Sequence, residues 1–445
     1  MTDMFHHDKR DYETARATAI ESAEDKFGTR IEQGLERTVK LIEHLQESVP
    51  VDRLAVHGRD IHFKLSSDKP RMKLASSRAI QDPELLNADD PRAKGMDGAD
   101  DVGRILKLVE LPNHKTDGRL SSVQEEDGSS RLLMDISGHT VELHSNAISQ
   151  IAERTSPSGA KLPVKYLKSL MSSNDPNLQR LCVDALNTHY KRTALSKKKS
   201  LVRSVNGEAR GFLGSTYKRI DSMMLMQTLI EQANECGAVV IDARVTDVRC
   251  QVKLVLRRIY RPVDDSPMLL GIAWSTSDYG CGANCLSLFV ERMWCTNQAT
   301  TQDSLREVHT GPELHGDIAW SEDTRRKVTE ASAATMRDYI KHMLSDESIG
   351  NLTDAIRKAY ETEVSWKTFG PTVKRLLSKE EYNSAESHFD STNQAVLLPP
   401  ARTLWRASNV LSLIAQNAKT PDRALELERL AGRVFETSRQ KVKVS

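Results

Sequence analysis

Cysteine is scarce in this chain: six residues, at 182, 236, 250, 281, 285 and 295, in a length of 445. That is too few for a disulfide scaffold, and no apolar leader precedes them, so a reducing, cytoplasmic setting is expected. No apolar run approaches the roughly 18 residues of a transmembrane helix, so no membrane span is expected. An excess of one charge is missing as well. Sixty-three Lys+Arg face 62 Asp+Glu for a formal net charge of +1, and only local segregation of charge can point to a polyanion partner. The short signatures of chemistry are also absent: no HExxH, no GxxxxGK[ST], no GxGxxG and no GxSxG. Cys281-x3-Cys285-x9-Cys295 lacks the paired knuckles of a structural zinc site. No catalytic residue, metal site or cofactor is therefore assigned.

What remains is ordinary globular material, 38% apolar and 28% charged, in a chain long enough for two or three domains. The first 130 residues are charged and mixed. "QGLERTVKLIEHLQ" spaces Leu35, Val39, Leu41, Ile42 and Leu45 as one helical face, while "LAVHGRDIHFKL" and "GRILKLVEL" alternate like strands. An acidic, Pro- and Gly-containing loop lies between those two strands. This part is expected to be a smaller N-terminal appendage, serving as a partner or oligomerisation arm. Residues 131–310 are expected to form an α+β core. Its helices begin near Ser145, at Pro163 and after the cap Asp175, with Leu178, Leu181, Cys182, Ala185 and Leu186 sharing a face. From 210 to 300 the period is two: "GAVVIDARVTDVRCQVKLVLRRIY", "MLLGIAWSTS" and "CLSLFVERMWCTN" are strand candidates around the turn "DYGCGAN", although "SLFVERMW" also suits a helix. Residues 311–445 return to helices, the first capped by Ser321 or Asp323. The expected fold is thus a central, mainly antiparallel twisted sheet flanked by helices, with a helical C-terminal part packed on it.

One local segregation of charge stands out. Lys191, Arg192, Lys197, Lys198, Lys199, Arg203, Arg210, Lys218 and Arg219 stand against Glu208 alone. Cations so gathered can displace counterions from phosphates, and Phe212 and Tyr217 are near enough in sequence to stack on bases. "VKLVLRRIYRP" repeats the theme. A bulge or strand end at Arg257–Arg258 would keep both guanidinium groups out of the core, where an unpaired charge is prohibitive. The candidate nucleic-acid-binding residues are Lys197, Lys198, Lys199, Arg203, Arg210, Tyr217, Lys218, Arg219, Arg257, Arg258, Tyr260 and Arg261, provided the two sets merge into one surface. The competing reading is a solvated connector, with the second arginine pair neutralised by Asp242, Asp247, Asp264 or Asp265.

Residues 131–415 resemble a known family. "NAISQIAERTSPSGAKLPVKYLKSL", "ALNTHYKR", "RGFLGSTYKRID", "LRRIYRPVDDSPMLLGIAWSTSDYGCGANCLSLFVERMWCTNQA" and "TLWRASNVLSLIAQ" follow the order seen in the phage/plasmid-like family catalogued as domain of unknown function 932. The turn departs from that pattern by carrying Cys281 and Cys285. The resemblance implies a phage or mobile-element origin and brings no catalytic set; there is a weaker likeness to single-strand annealing proteins of phage recombination. The expectation is a non-enzymatic nucleic-acid-binding protein of a mobile element, taking single-stranded DNA in recombination or replication and assembling as a homo-oligomer. Three alternatives fit the same residues. One is an interaction protein that binds a host factor through an acidic loop at 82–101, carrying Asp82, Glu84, Asp89, Asp90, Asp97, Asp100 and Asp101. Another is a virion component. The third is a metal-dependent nuclease built from Glu208, Asp221, Asp242 and Glu291.

Overall fold

The computed structural model describes residues 14, 17, 22–55, 58–66, 131–136, 138–154, 161–192, 199–214, 216–263, 267–293, 298–301, 304–311, 321–391 and 398–440. The strand expected at "GRILKLVEL" and the acidic loop at 82–101 lie outside them. The class is α+β, but the strands are divided between two sheets rather than gathered in one. The first sheet has the order β1(Val51–Ala55), β5(Ser200–Val205), β6(Glu208–Gly214), β4(His139–Leu143), β3(Leu132–Ile136), β2(Ile61–Leu65). Every pairing in it is antiparallel except β4 with β6. The boundary expected at residue 130 therefore runs through this sheet, because β1 and β2 pair with strands from the far side of it. The second sheet is an antiparallel meander of β7(Ala238–Val245), β8(Cys250–Tyr260), β9(Met268–Thr276) and β10(Asn284–Arg292). Its outer edge carries the short β11(Gln298–Thr300) and β12(Leu305–Glu307). "SLFVERMW" is accordingly strand through Arg292.

The N-terminal helix α1(Ala23–Glu47) belongs to the second sheet and not to an independent appendage. Its Leu41 and Ile42 join the main core, while Phe27 and Ile31 pack on Val239, Ile241, Val255 and Phe289 of the sheet's other face. Gly34 permits this. A Cβ there would stand 2.5 Å from Ile241 Cα and from the Val240 carbonyl oxygen, so the helix backbone rests directly on β7. Three helices cover the first sheet: α2(Ser145–Glu153), α3(Val164–Met171) and α4(Pro176–Arg192). His144, not Ser145, caps α2, its ring nitrogen accepting from the Asn146 amide at 3.1 Å. Asp175 caps α4 as expected, at 2.9 Å from the Asn177 amide. The α4 face is narrower than the sequence suggests: Cys182 and Leu186 are buried, but Leu178 and Leu181 are 39% and 45% exposed.

The main core lies between the second sheet and α5(Ser222–Glu235), α6(Glu322–Met343), α7(Asp346–Glu361), α8(Trp366–Val373), α9(Lys379–Asp390), α10(Leu404–Gln416) and α11(Pro421–Gln440). Helix α5 interrupts the region where period-two patterning predicts strands only. Asp221 caps it by accepting from the Met223 amide at 2.9 Å, and it buries Leu225, Met226, Leu229 and Ile230. Ser321 caps α6. Arg406 on α10 is buried and donates to the carbonyls of His388, Phe389 and Ser391, gathering orphan carbonyls at the end of α9, and to that of Pro399 in the segment leading to α10. No helix among the described residues is long and apolar enough to cross a membrane.

The close approach of α1 gives a paired test. Gly34→Ala must push α1 off β7 and is expected to cost about 1–3 kcal/mol. Gly28→Ala, in the same helix where nothing lies within 4 Å of the added carbon, is expected to be neutral or to stabilise by about 0.5–1 kcal/mol. Urea denaturation of the two variants measures the difference; equal stabilities would refute the contact.

Candidate nucleic-acid interface

The basic residues expected to line one track go to two different fates. Arg203 projects from β5 and is only 8% exposed. Its Nε donates to Asp52 at 2.8 Å, its NH1 donates to the Asp278 carbonyl at 2.7 Å, and its guanidinium lies 6.0 Å from the Tyr217 ring centre. Burial would depress its pKa, but Asp52 and Asp278 together hold it raised. Arg219 reaches the second oxygen of the same Asp52 at 2.8 Å. Arg210 donates to Glu208 at 3.0 Å and to the Asp247 carbonyl at 3.1 Å. Lys218 is held by Glu307, which also accepts from Ser332 and holds its charge against burial with their help. These four cations are already neutralised and mostly enclosed, which corrects the expectation that they stand free for phosphates.

Tyr217 is corrected too. Its ring stacks on His309 with centroids 5.2 Å apart and planes within 6°, and its hydroxyl donates to the Ser277 carbonyl. The surrounding backbone fixes it further: Lys218 N–H donates to the His309 carbonyl and Gly311 N–H to that of Thr216. One face of the ring is thus covered by His309, and the hydroxyl is spent on the backbone. These residues form the joint between the sheets, with β1 and β5 of the first meeting the β9–β10 turn of the second through Arg203. Lys199 stands half-buried just before β5, and Lys197 and Lys198 lie outside the described residues.

The second set behaves as the bulge argument requires. The pairing of β8 with β9 is interrupted between Val255 and Ile259, and its pairing with β7 ends at Leu256. Arg257 and Arg258 sit in that gap and are exposed, as is Arg261 just beyond the strand. None of the three has a carboxylate partner among the described residues. The acids that could have neutralised them are committed elsewhere: Asp242 to Arg37 and Arg244, and Asp247 to Arg210 and His144. Asp264 and Asp265 lie outside the described residues. The Arg258 guanidinium lies over the Tyr260 ring at 4.7 Å. Beyond them opens a cleft of about 490 Å³ between Arg258–Pro262 and one face of α7, including Arg357 and Asp346. Arg357 donates to the Pro262 carbonyl at 3.1 Å and to Asp354 at 3.0 Å, fixing the cleft's two walls to each other. Nothing in sequence could have paired Arg357 with Arg258, since they meet only when α7 folds back on β8.

The carboxylates considered for a metal site do not assemble. Glu208 is paired with Arg210, Asp221 caps α5, Asp242 takes Arg37 and Arg244, and Glu291 receives Arg30 through two bonds of 2.9 Å. Among the described residues no group of three His, Cys, Asp or Glu could hold a metal ion.

The joint yields two predictions. Asp52→Ala strands the buried Arg203 and is expected to cost about 3–5 kcal/mol, which denaturation would measure; Arg203→Met should recover part of that loss in the double variant. Burial pushes the Asp278 carboxyl up to about 6 from 3.8, against the pull of Arg203. The folded state therefore holds that proton more tightly than the unfolded chain. Stability attributable to Asp278 falls as pH rises from about 4 to about 6 and stays lost above that. Asp278→Asn is expected to match the wild type in Tm near pH 4 and to exceed it at pH 7; a constant offset across that range would contradict the assignment.

No family model, curated protein or solved structure matches the chain.

Proposed function

We propose that this protein is a non-enzymatic binder of single-stranded nucleic acid, gripping the strand at the C-terminal end of β8. The observation that carries the reading is the interrupted ladder between Val255 and Ile259, which leaves Arg257, Arg258 and Arg261 exposed and without carboxylate partners among the described residues, beside Tyr260. Guanidinium groups suit phosphate geometry, and an adjacent aromatic suits an unstacked base better than a duplex. The grip is smaller than a continuous track through the central third, because Arg203, Arg210, Lys218 and Arg219 serve the joint instead. Three phosphate contacts per chain make a weak site, so effective binding of a long strand calls for several copies aligned along it.

Fluorescence anisotropy with a labelled single-stranded oligonucleotide over a salt series tests this. Three contacts to a single strand are expected to give a slope of log K against log salt of about −2. The triple variant Arg257→Gln/Arg258→Gln/Arg261→Gln is expected to lose at least about tenfold in affinity at low salt and most of that slope. Arg326→Gln, a change at an exposed arginine of α6 bridged to Asp323 and Glu330, should alter neither. Wild-type binding by the triple variant, or no binding by the native protein at low salt, would overturn the reading.

A further inference from the structure

The cleft beside these arginines has features that phosphate binding alone does not use. Its volume of about 490 Å³ falls in the range of small-molecule sites. On one wall are two flat surfaces, the Tyr260 ring and the Arg258 guanidinium plane above it, and both kinds of surface stack on unpaired bases. On the other wall Gly350 leaves the backbone of α7 bare: it is exposed, and nothing lies within 4 Å of the place its Cβ would take. A planar ring can enter there without displacing a side chain. Arg357 and Asp354 are spent on each other and on Pro262, so they hold the walls and are not ligands. Asp346, the first residue of α7, is different. It is exposed, no described residue pairs with it, and it lines the same cleft. Its charge is close enough to add to the rise that burial imposes on the Tyr260 hydroxyl. A carboxylate next to a phosphate-binding patch weakens that patch unless it meets a donor.

Building on the nucleic-acid reading above, we propose that the β8–α7 cleft receives one nucleotide of the bound strand, and that guanine is the base it prefers. The base stacks on the outer side of the Arg258 guanidinium, which itself covers Tyr260, over the gap at Gly350; the edge N–H groups of Arg258 stay turned to a phosphate, and the nucleotide's own phosphate meets Arg261. Asp346 faces the base edge. An ionised carboxylate offers two acceptor oxygens and no donor. Guanine presents two adjacent donors, N1–H and the exocyclic amino group, which match that pair. Thymine and uracil present one N–H flanked by carbonyl oxygens that the carboxylate repels.

The test compares two labelled 12-mers by anisotropy, all-thymidine and the same strand with one central guanosine, against four proteins at low salt. Wild type is expected to prefer the guanosine strand by about tenfold, as a bidentate base contact gives. Gly350→Leu fills the slot at an exposed helix position where leucine favours the helix, so the fold survives. It should weaken both strands by about tenfold and abolish the preference, while leaving the salt slope unchanged. Asp346→Asn should lose the preference and bind the thymidine strand at least as well as wild type. The arginine triple variant separates the two proposals. If it loses binding while Gly350→Leu binds and discriminates like wild type, the cleft is refuted and the charged grip stands. If it binds like wild type, both fall. Equal affinity of the native protein for the two strands overturns the base preference.

Discussion

The second sheet carries charge on a buried face, and the two terminal helices are held by it. Glu291 on β10 accepts two bonds from Arg30 of α1 and one from Gln298 at 2.6 Å. Lys253 on β8 donates to Gln298 and to Glu428 of α11, at 2.8 Å for the latter. Asp242 on β7 takes Arg37 of α1 and Arg244. Burial alone would raise the Asp242 pKa, yet the surrounding cations, Arg244 foremost, keep it low. Buried charges persist only when paired, and breaking one pair costs far more than a surface bridge. The sheet's Lys253, Asp242 and Glu291 thus require α1 and α11 in place. Helices near opposite ends of the chain complete one polar layer, which makes the N-terminal helix part of the core. The close seats at Gly34 on β7, and at Gly432 on Thr300 of β11, show the same two helices pressed against backbone.

The same rule decides which basic residues remain available for a partner. Wherever a cation of the central third points toward the joint between the sheets, a carboxylate or carbonyl meets it: Asp52 for Arg203 and Arg219, Glu208 and Asp247 for Arg210, Glu307 for Lys218. Where β8 runs past β7 and its ladder with β9 is interrupted, no such partner exists among the described residues, and Arg257, Arg258 and Arg261 are exposed. Charge density along the chain measures neither outcome. The two groups have similar composition in sequence but differ in the strand edge from which they project.

Much of the architecture was legible because local rules are strong. Alternation marked β7 to β10, the turn "DYGCGAN" marked the β9–β10 connection, and Asp175 and Ser321 acted as the caps their positions suggest. The bulge at Arg257–Arg258 followed from the cost of burying guanidinium groups. Failures came where tertiary context overrides pattern. Helix α5 carries Leu225, Met226, Leu229, Ile230 and Ala233 at helical spacing but sits between strand-patterned segments that mask it; Leu178 and Leu181 suit a face that α4 leaves in solvent, and one sheet is expected where two form because pairing partners are not encoded in period. Residues 51–65 read as part of an appendage because nothing local shows that β1 lies beside β5.

Sequence alone determined the class of the protein and the residue types available to it: an α+β chain, balanced in charge, with a local run of cations between residues 191 and 219. Those properties follow from interactions within a few residues of one another, such as capping, alternation and turn geometry. Tertiary structure alone decided which cations are spent and which are free. Arg203 and Asp52 are separated by 151 positions, and Arg357 and Pro262 by 95. Pairing over such distances depends on which backbone segments fold against each other, and it carries no local signature in the chain.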